Sequence, residues 1–217
     1  VLILLFVFLL YKGKSESFNT NLNKSLKLSY VITLPNRKNY IEGIMPGFGL
    51  NPIIFPAILK DSLLRDSLTT SNFLNPKSKL NMGQIACHYS HIEVLKTFLM
   101  TSEPLALIFE DDIEPAKKDK NYYNLQIKNI LNNVPNDFDL IYLGRCYDRC
   151  QYDENISPGL VRCFWPLCRH SYIVSRKGAL SIIKQTLPLK IQGDNIGKCR
   201  ATILTAADFQ NTLKLQD

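Results

Sequence analysis

Four carboxylates, Glu110, Asp111, Asp112 and Glu114, stand within five residues of one another, directly after the wholly apolar run Leu105–Phe109. Alternate side chains of an extended chain point the same way, so Glu110 and Asp112 can converge on one ion. Crowded carboxylates repel. A divalent cation relieves that repulsion while it clamps a substrate phosphate, and hard oxygen ligands suit Mn²⁺ or Mg²⁺. A solvated acidic turn capping the next helix would use the same residue types. His88 and His91, three apart, are a possible ligand pair or hydrogen-bonded histidines where a helix meets a sheet. His170 can contact a metal or diphosphate by position alone. Trp165 and Tyr172 suit either stacking on a sugar or core packing. Neither G-x-x-x-x-G-K-[ST] nor G-x-G-x-x-G occurs, which argues against a P-loop nucleotidase and a dinucleotide dehydrogenase. G-x-S-x-G is missing too, and with it the usual serine-hydrolase elbow.

Groups like these need a scaffold, and the hydrophobic pattern supplies one. Leu28–Leu34 reads as a buried strand stopped by Pro35-Asn36. A short helix fits 37–45, and Pro52–Ile58 holds a strand whose prolines put it at an edge. Lys60–Lys79 is polar and reads as loop with at most a short helix. Asn81 and Gln84 have capping-box spacing, and Ile85, Tyr89, Ile92, Leu95 and Leu99 then line one helical face. Leu105–Phe109 is a strand, Tyr122–Val134 a helix, Asp139–Leu143 a strand, Ser171–Ser175 a strand and Arg176–Leu187 a helix. Strands alternating with helices predict an α/β layered domain with a mostly parallel central sheet. Ligands of such sheets bind beyond the carboxyl ends of the strands, where the acidic cluster falls.

Five blocks in this order, YVITLPNRKNY, NMGQIACHYSHIEVL, LALIFEDDIEP, DLIYLG and HSYIVSRKGAL, resemble glycosyltransferase family 25 over residues 29–194. The resemblance implies a GT-A-like, Rossmann-type fold, a UDP-sugar donor and a divalent metal, Mn²⁺ or Mg²⁺. It also implies an inverting transfer of a hexose to a hydroxyl acceptor on a glycan or protein. Matched residue by residue, Thr33 and Arg37 fall near the expected nucleotide, and Ser90 and His91 on the family's Ser-His pair. Glu110, Asp111 and Asp112 fall on its acidic motif, with Asp112 and Glu110 as metal ligands and Thr33, Arg37, His91, Glu110 and Asp111 toward the donor. Asp194 matches an aspartate of the acceptor region and is the expected general base. Two departures stand out. Gln84 replaces the family's acid before the helix, and Asp208-Phe209-Gln210 only loosely matches its closing block. They motivate the alternative of a glycosyltransferase-like binding protein that has lost catalysis.

Of 217 residues, 46% are hydrophobic and 21% charged, a globular composition. The net charge of +7 suggests an anionic partner, but six of the 26 basic residues and only one acid lie in residues 1–40. The remainder is nearly balanced, which argues against nucleic acid as a partner. Val1–Tyr11 is unbroken apolar sequence, too short to span a bilayer alone and suited to a signal or anchor remnant. The expected organisation is therefore an apolar anchor remnant plus basic stem at 1–27 and the catalytic domain at 28–217. Cys146, Cys150, Cys163 and Cys168 cluster, with Cys87 and Cys199 apart. An even count near such a segment predicts disulfides and a lumenal or extracellular, membrane-associated setting. The C-x3-C…C-x4-C spacing departs from the usual zinc knuckle.

Overall fold

A computed structural model describes residues 25–115, 119–146, 150–163, 167–191, 203–206 and 213–215. The apolar N-terminus, Trp165, Asp194, Cys199 and Asp208 lie outside the described residues. Among the described residues, no helix is long and apolar enough to cross a membrane.

The strands are β1 (Leu28–Thr33), β2 (Ile53–Pro56), β3 (Leu105–Glu110), β4 (Ile113–Pro115), β5 (Leu140–Cys146), β6 (Glu154–Ser157), β7 (Leu160–Arg162), β8 (Leu167–Ser175), β9 (Ile203–Ala206) and β10 (Leu213–Leu215). The helices are α1 (Lys38–Ile44), α2 (Arg65–Thr70), α3 (Met82–Leu99), α4 (Lys120–Asn133) and α5 (Arg176–Thr186). Eight strands form one sheet in the order β2-β1-β3-β8-β5-β9-β7-β6. β1 is parallel to β2 and β3, and β5 to β9, whereas β8 runs antiparallel between β3 and β5. With β7 antiparallel to β9 and β6, all strands except β8 and β7 point one way. The expected α/β architecture with a mostly parallel sheet is what the chain adopts. The turn at Asp111–Asp112 hands the chain on to β4, which pairs with β10 in a separate two-stranded sheet.

Side-chain alternation divides the sheet into two apolar faces. Val31, Leu105, Leu107, Phe109, Ile141 and Ile173 pack with Ile41 of α1 and Tyr123, Ile127 and Leu131 of α4. Tyr30, Ile32, Ala106, Ile108, Leu140, Tyr142, Tyr172 and Val174 pack with Val94, Leu95 and Phe98 of α3 and with α5. Glu110 follows Ala106 and Ile108 at the same parity, so the sequence itself turns this carboxylate toward α3.

The expected single apolar stripe on α3 is too narrow. Its Ile85 and Ile92 face away from the sheet, into a further cluster with Leu68, Phe73, Leu74, Leu80 and Leu189. The helix lies between the sheet and the segment around α2, so apolar residues are needed on two sides. Its N-terminus carries the expected capping box. The Gln84 N–H donates to Asn81 Oδ1 at 2.9 Å, and the Asn81 N–H donates to Gln84 Oε1 at 3.0 Å. An amide oxygen accepts that bond as a carboxylate would, so the glutamine has a local structural use. At the other end the Arg176 guanidinium donates to the carbonyls of Thr101 (2.6 Å) and Leu99 (2.8 Å), satisfying carbonyls that the helix leaves open.

Cys168 is disulfide-bonded, and Cys87 and Cys163 are not. Cys87 sits on α3 beside Glu110, a position fixed by helix packing rather than by cross-linking.

Candidate functional site

The carboxyl ends of β1, β2 and β3 converge at one edge of the sheet because these strands are parallel neighbours, with Ile32 paired to Glu110. A cavity of about 410 Å³ opens there. Ile32, Ile58, Cys87, His91, Glu110 and Asp111 are among the residues lining it. The acidic run thus lies where the sequence places it, at the carboxyl end of a buried strand and beside a cavity.

Glu110, Asp111 and Asp112 have separate roles. Asp111 closes the edge: its Oδ2 accepts from the Leu34 N–H at 2.7 Å and the Thr33 hydroxyl at 3.1 Å. Arg37 Nε stands 3.7 Å from Asp111 Oδ1, and its guanidinium lies 5.7 Å from the centre of the Tyr40 ring. Thr33 and Arg37 are therefore at the expected edge, and there they hold Asp111. Hydrogen bonds to a charged acceptor are worth about 1.5–3 kcal/mol each. Asp111→Ala should therefore lower stability by about 2 kcal/mol, read by chemical denaturation, because it unties β1 from β3. An unchanged midpoint would show that the clasp contributes nothing.

Glu110 points to the helix. Its Oε1 is 2.5 Å from His91 Nε2 and 3.8 Å from the Cys87 sulfur. His91 Nδ1 is hydrogen-bonded to the Tyr172 hydroxyl at 2.8 Å. Tyr172 is opposite Ile108 in the β3–β8 register and on the α3 face, which explains why the helix histidine reaches both. Burial pushes the Tyr172 phenol well above its ordinary value, so it stays protonated. Tyr172 is thus a buried partner of His91 rather than a sugar platform.

Asp112 is the unsatisfied member. Its Oδ1 is buried without a hydrogen-bond partner. Burial, then the neighbouring charge of Glu110, raises its carboxyl from 3.8 to about 6, with its own backbone N–H pulling the other way. A carboxylate oxygen buried without a partner costs stability. The chain turns at Asp111–Asp112, so the turn rather than strand alternation places Asp112, and it leaves Asp112 near enough to feel the Glu110 charge. Among the described residues, the three whose ligand atoms lie within 4.8 Å of one another are Cys87, His91 and Glu110, without Asp112.

The remaining histidines fill structural roles. His88 Nε2 pairs with the Thr186 hydroxyl at 3.2 Å, and its Nδ1 lies 3.4 Å from Arg169. Burial and the Arg169 charge push it well below the usual imidazole range, so it is neutral. A His88–His91 ligand pair is not formed, because one ring faces α5 and the other faces β3. His170 is buried, packed so closely over Gly144 that a Cβ there would stand 2.2 Å from its Nε2. Ser90 ties α3 to the chain after β2, accepting from the Ile58 N–H at 2.9 Å. Cys87 and Tyr172 went unassigned as partners of the acidic run. The four-residue spacing of Cys87 and His91 on one helix was the available signal.

Fold and site together define an α/β domain with a cavity at its strand ends that Glu110 and Asp111 help to line. The chain belongs to glycosyltransferase family 25, whose model, described as "Glycosyltransferase family 25 (LPS biosynthesis protein)", matches residues 26–196. A glycosyltransferase 25 family member of Aedes aegypti is 28% identical over 175 residues, covering 72% of this chain and 28% of that protein. Procollagen galactosyltransferase 1-A of Xenopus laevis is 28% identical over 112 residues, covering 48% of this chain and 17% of that protein. The chain thus spans under a third of the length of these relatives. A solved structure of an active-site mutant of LgtC matches with TM-score 0.45 and 8% identity, over 82% of this chain and 72% of that chain.

Proposed function

We propose that this domain transfers a hexose from a UDP-sugar to a hydroxyl acceptor on a glycan or protein, with inversion and with help from a divalent cation. The observation that carries this reading is Asp112, a half-buried carboxylate with one buried, orphaned oxygen just after β3, in a family 25 domain. That orphaned oxygen fits a hard cation such as Mn²⁺ or Mg²⁺, and Asp112 with Glu110 would hold it. When bound, such an ion supplies charge neutralisation at the diphosphate leaving group.

The chain's own residues do the rest. Thr33, Arg37 and Asp111 keep the β1 and β3 ends together, so the cavity wall is formed before the donor arrives. His91, held by Tyr172, orients the Glu110 carboxylate toward the cavity. Apolar Ile32, Leu34, Ala57 and Ile58 line part of the same cavity. Asp194, which lies outside the described residues, is assigned the general base that takes the acceptor hydroxyl proton. The disulfide at Cys168 supports a lumenal setting, and the N-terminal apolar run is the proposed tether.

The test is UDP release across a panel of UDP-hexoses, with Mn²⁺ and with glycan or protein acceptors. Turnover dependent on one donor and on the cation is expected. Saturable UDP-sugar binding without turnover under every condition would replace this reading with that of a binding protein.

A further inference from the structure

The cluster of Cys87, His91 and Glu110 shares Glu110 with the acidic run but has a chemistry different from that of the turn at Asp111–Asp112. It offers one sulfur, one imidazole nitrogen and one carboxylate oxygen, with all three ligand atoms within 4.8 Å of one another. Cys87 and His91 are four residues apart on α3 and thus on one face of the helix, while Glu110 comes from the strand below. We propose that these three side chains form a binding site for a soft or borderline divalent transition metal, Zn²⁺ above all, with a fourth position open to the cavity.

Several observations converge. Ligands of one zinc ion sit about 2.0–2.3 Å from it, which sets neighbouring ligand atoms roughly 3–4 Å apart. The 3.8 Å between the Cys87 sulfur and Glu110 Oε1 already meets this spacing. The 2.5 Å between His91 Nε2 and Glu110 Oε1 must widen. Glu110 supplies that movement, because its side chain is 23% exposed whereas His91 is almost fully buried. His91 is also held from behind, its Nδ1 bonded to the Tyr172 hydroxyl at 2.8 Å. Once Nε2 is given to a metal, Nδ1 carries the ring proton and donates it to the Tyr172 oxygen. This arrangement of an outer partner fixing a ligating ring is usual for metal-bound histidine. Cys87 is exposed and lines the cavity, so the ion has an entry path and room for a water or a substrate oxygen. Thiolate and imidazole select zinc or cobalt over Mg²⁺ and Ca²⁺, which require oxygen donors. Binding releases the Cys87 thiol proton.

This inference does not rest on the hexose-transfer reading, and its test does not use turnover. The full chain, stripped with a chelator, is titrated with Zn²⁺ against a chromophoric competitor and, separately, with Co²⁺ followed by absorption. One tight site per chain is expected, with tetrahedral cobalt bands and a thiolate-to-cobalt charge-transfer band. Cys87→Ser and His91→Gln should each weaken it by about a hundredfold or more, and Tyr172→Phe by about tenfold. Asp112→Asn and Cys163→Ser should leave it within about threefold, which separates this site from the acidic turn and from the other thiol. In the unmutated chain, Zn²⁺ but not Mg²⁺ should slow alkylation of Cys87 by iodoacetamide, read on its peptide by mass spectrometry. Undiminished zinc affinity in Cys87→Ser, or Cys87 alkylation unaffected by saturating Zn²⁺, would overturn the proposal. Because the alkylation measurement needs no variant, misfolding of a mutant leaves the proposal testable.

Discussion

Asp112→Asn is expected to cut UDP-sugar turnover by at least about a hundredfold and, at neutral pH, to make the protein more stable. The two effects have one origin. Asp112 is half-buried, one of its oxygens has no hydrogen-bond partner, and Glu110 adds a like charge nearby. Its carboxyl is consequently raised from 3.8 to about 6. Between those two values the native state binds the proton that the unfolded chain has lost, so this group makes stability fall as pH rises from about 4 to 6. Above about pH 6 the whole penalty is present, of order 2 kcal/mol. An uncharged amide removes it. The variant should therefore melt about 4–8 °C higher at pH 7 and show a flatter stability profile between pH 4 and 6. Thermal unfolding across that pH range, beside a UDP-release assay, checks both halves. Loss of activity without any gain in stability would show that the buried charge is already compensated. Full activity in the variant would remove Asp112 from the reaction.

Gly178→Ala should be the most damaging small substitution in the domain. Gly178 lies in the first turn of α5, where a Cβ would stand 2.0 Å from the Asp139 carbonyl oxygen and 2.6 Å from its carbon. Neither partner can retreat. The Asp139 carbonyl accepts from the Ser175 N–H at 3.0 Å, and the Ser175 hydroxyl donates to the Phe138 carbonyl at 3.0 Å and caps Gly178 N–H at 3.0 Å. The helix must therefore lift from the start of β5, and α5 is one of the two helices covering the α3 side of the sheet. A loss of about 3 kcal/mol or more is expected against a helix-propensity gain of about 1 kcal/mol. Gly43→Ala is the matching control. Gly43 is also helical, is exposed, and has nothing within 4 Å of its added Cβ, so that change should be neutral or stabilising by up to about 1 kcal/mol. Denaturant midpoints of the two variants decide the matter. Equal midpoints would mean that the α5–β5 contact is not as close as described.

The elements with long apolar runs were readable in the sequence, and those without were not. β1, β3, β5, α4 and α5 lie within a few residues of their expected bounds because burial on one or both faces leaves an unmistakable pattern. β4, β7 and β10 are three residues each and carry no period at all. β8 was visible as Ser171–Ser175, but nothing local indicates that it runs antiparallel between β3 and β5. Strand direction is set by how the preceding connection returns to the sheet, which is a property of the whole chain.

The acidic run divides in the same way. Its existence, its place after a buried strand and the parity that turns Glu110 toward the α3 side are properties of the sequence. The division of labour among the acids is not. Asp111 faces the end of β1 and is consumed by Thr33, Leu34 and Arg37, groups more than 70 residues away along the chain. Glu110 meets Cys87 and His91 only because α3 packs on the same face of the sheet. Asp112 alone keeps an unsatisfied oxygen, since the turn carries it out of the strand into partial burial. Residue type and spacing thus determine that carboxylates gather at one strand end. Which of them is satisfied, and which remains available to a ligand, depends on partners that only the folded chain brings within hydrogen-bonding distance.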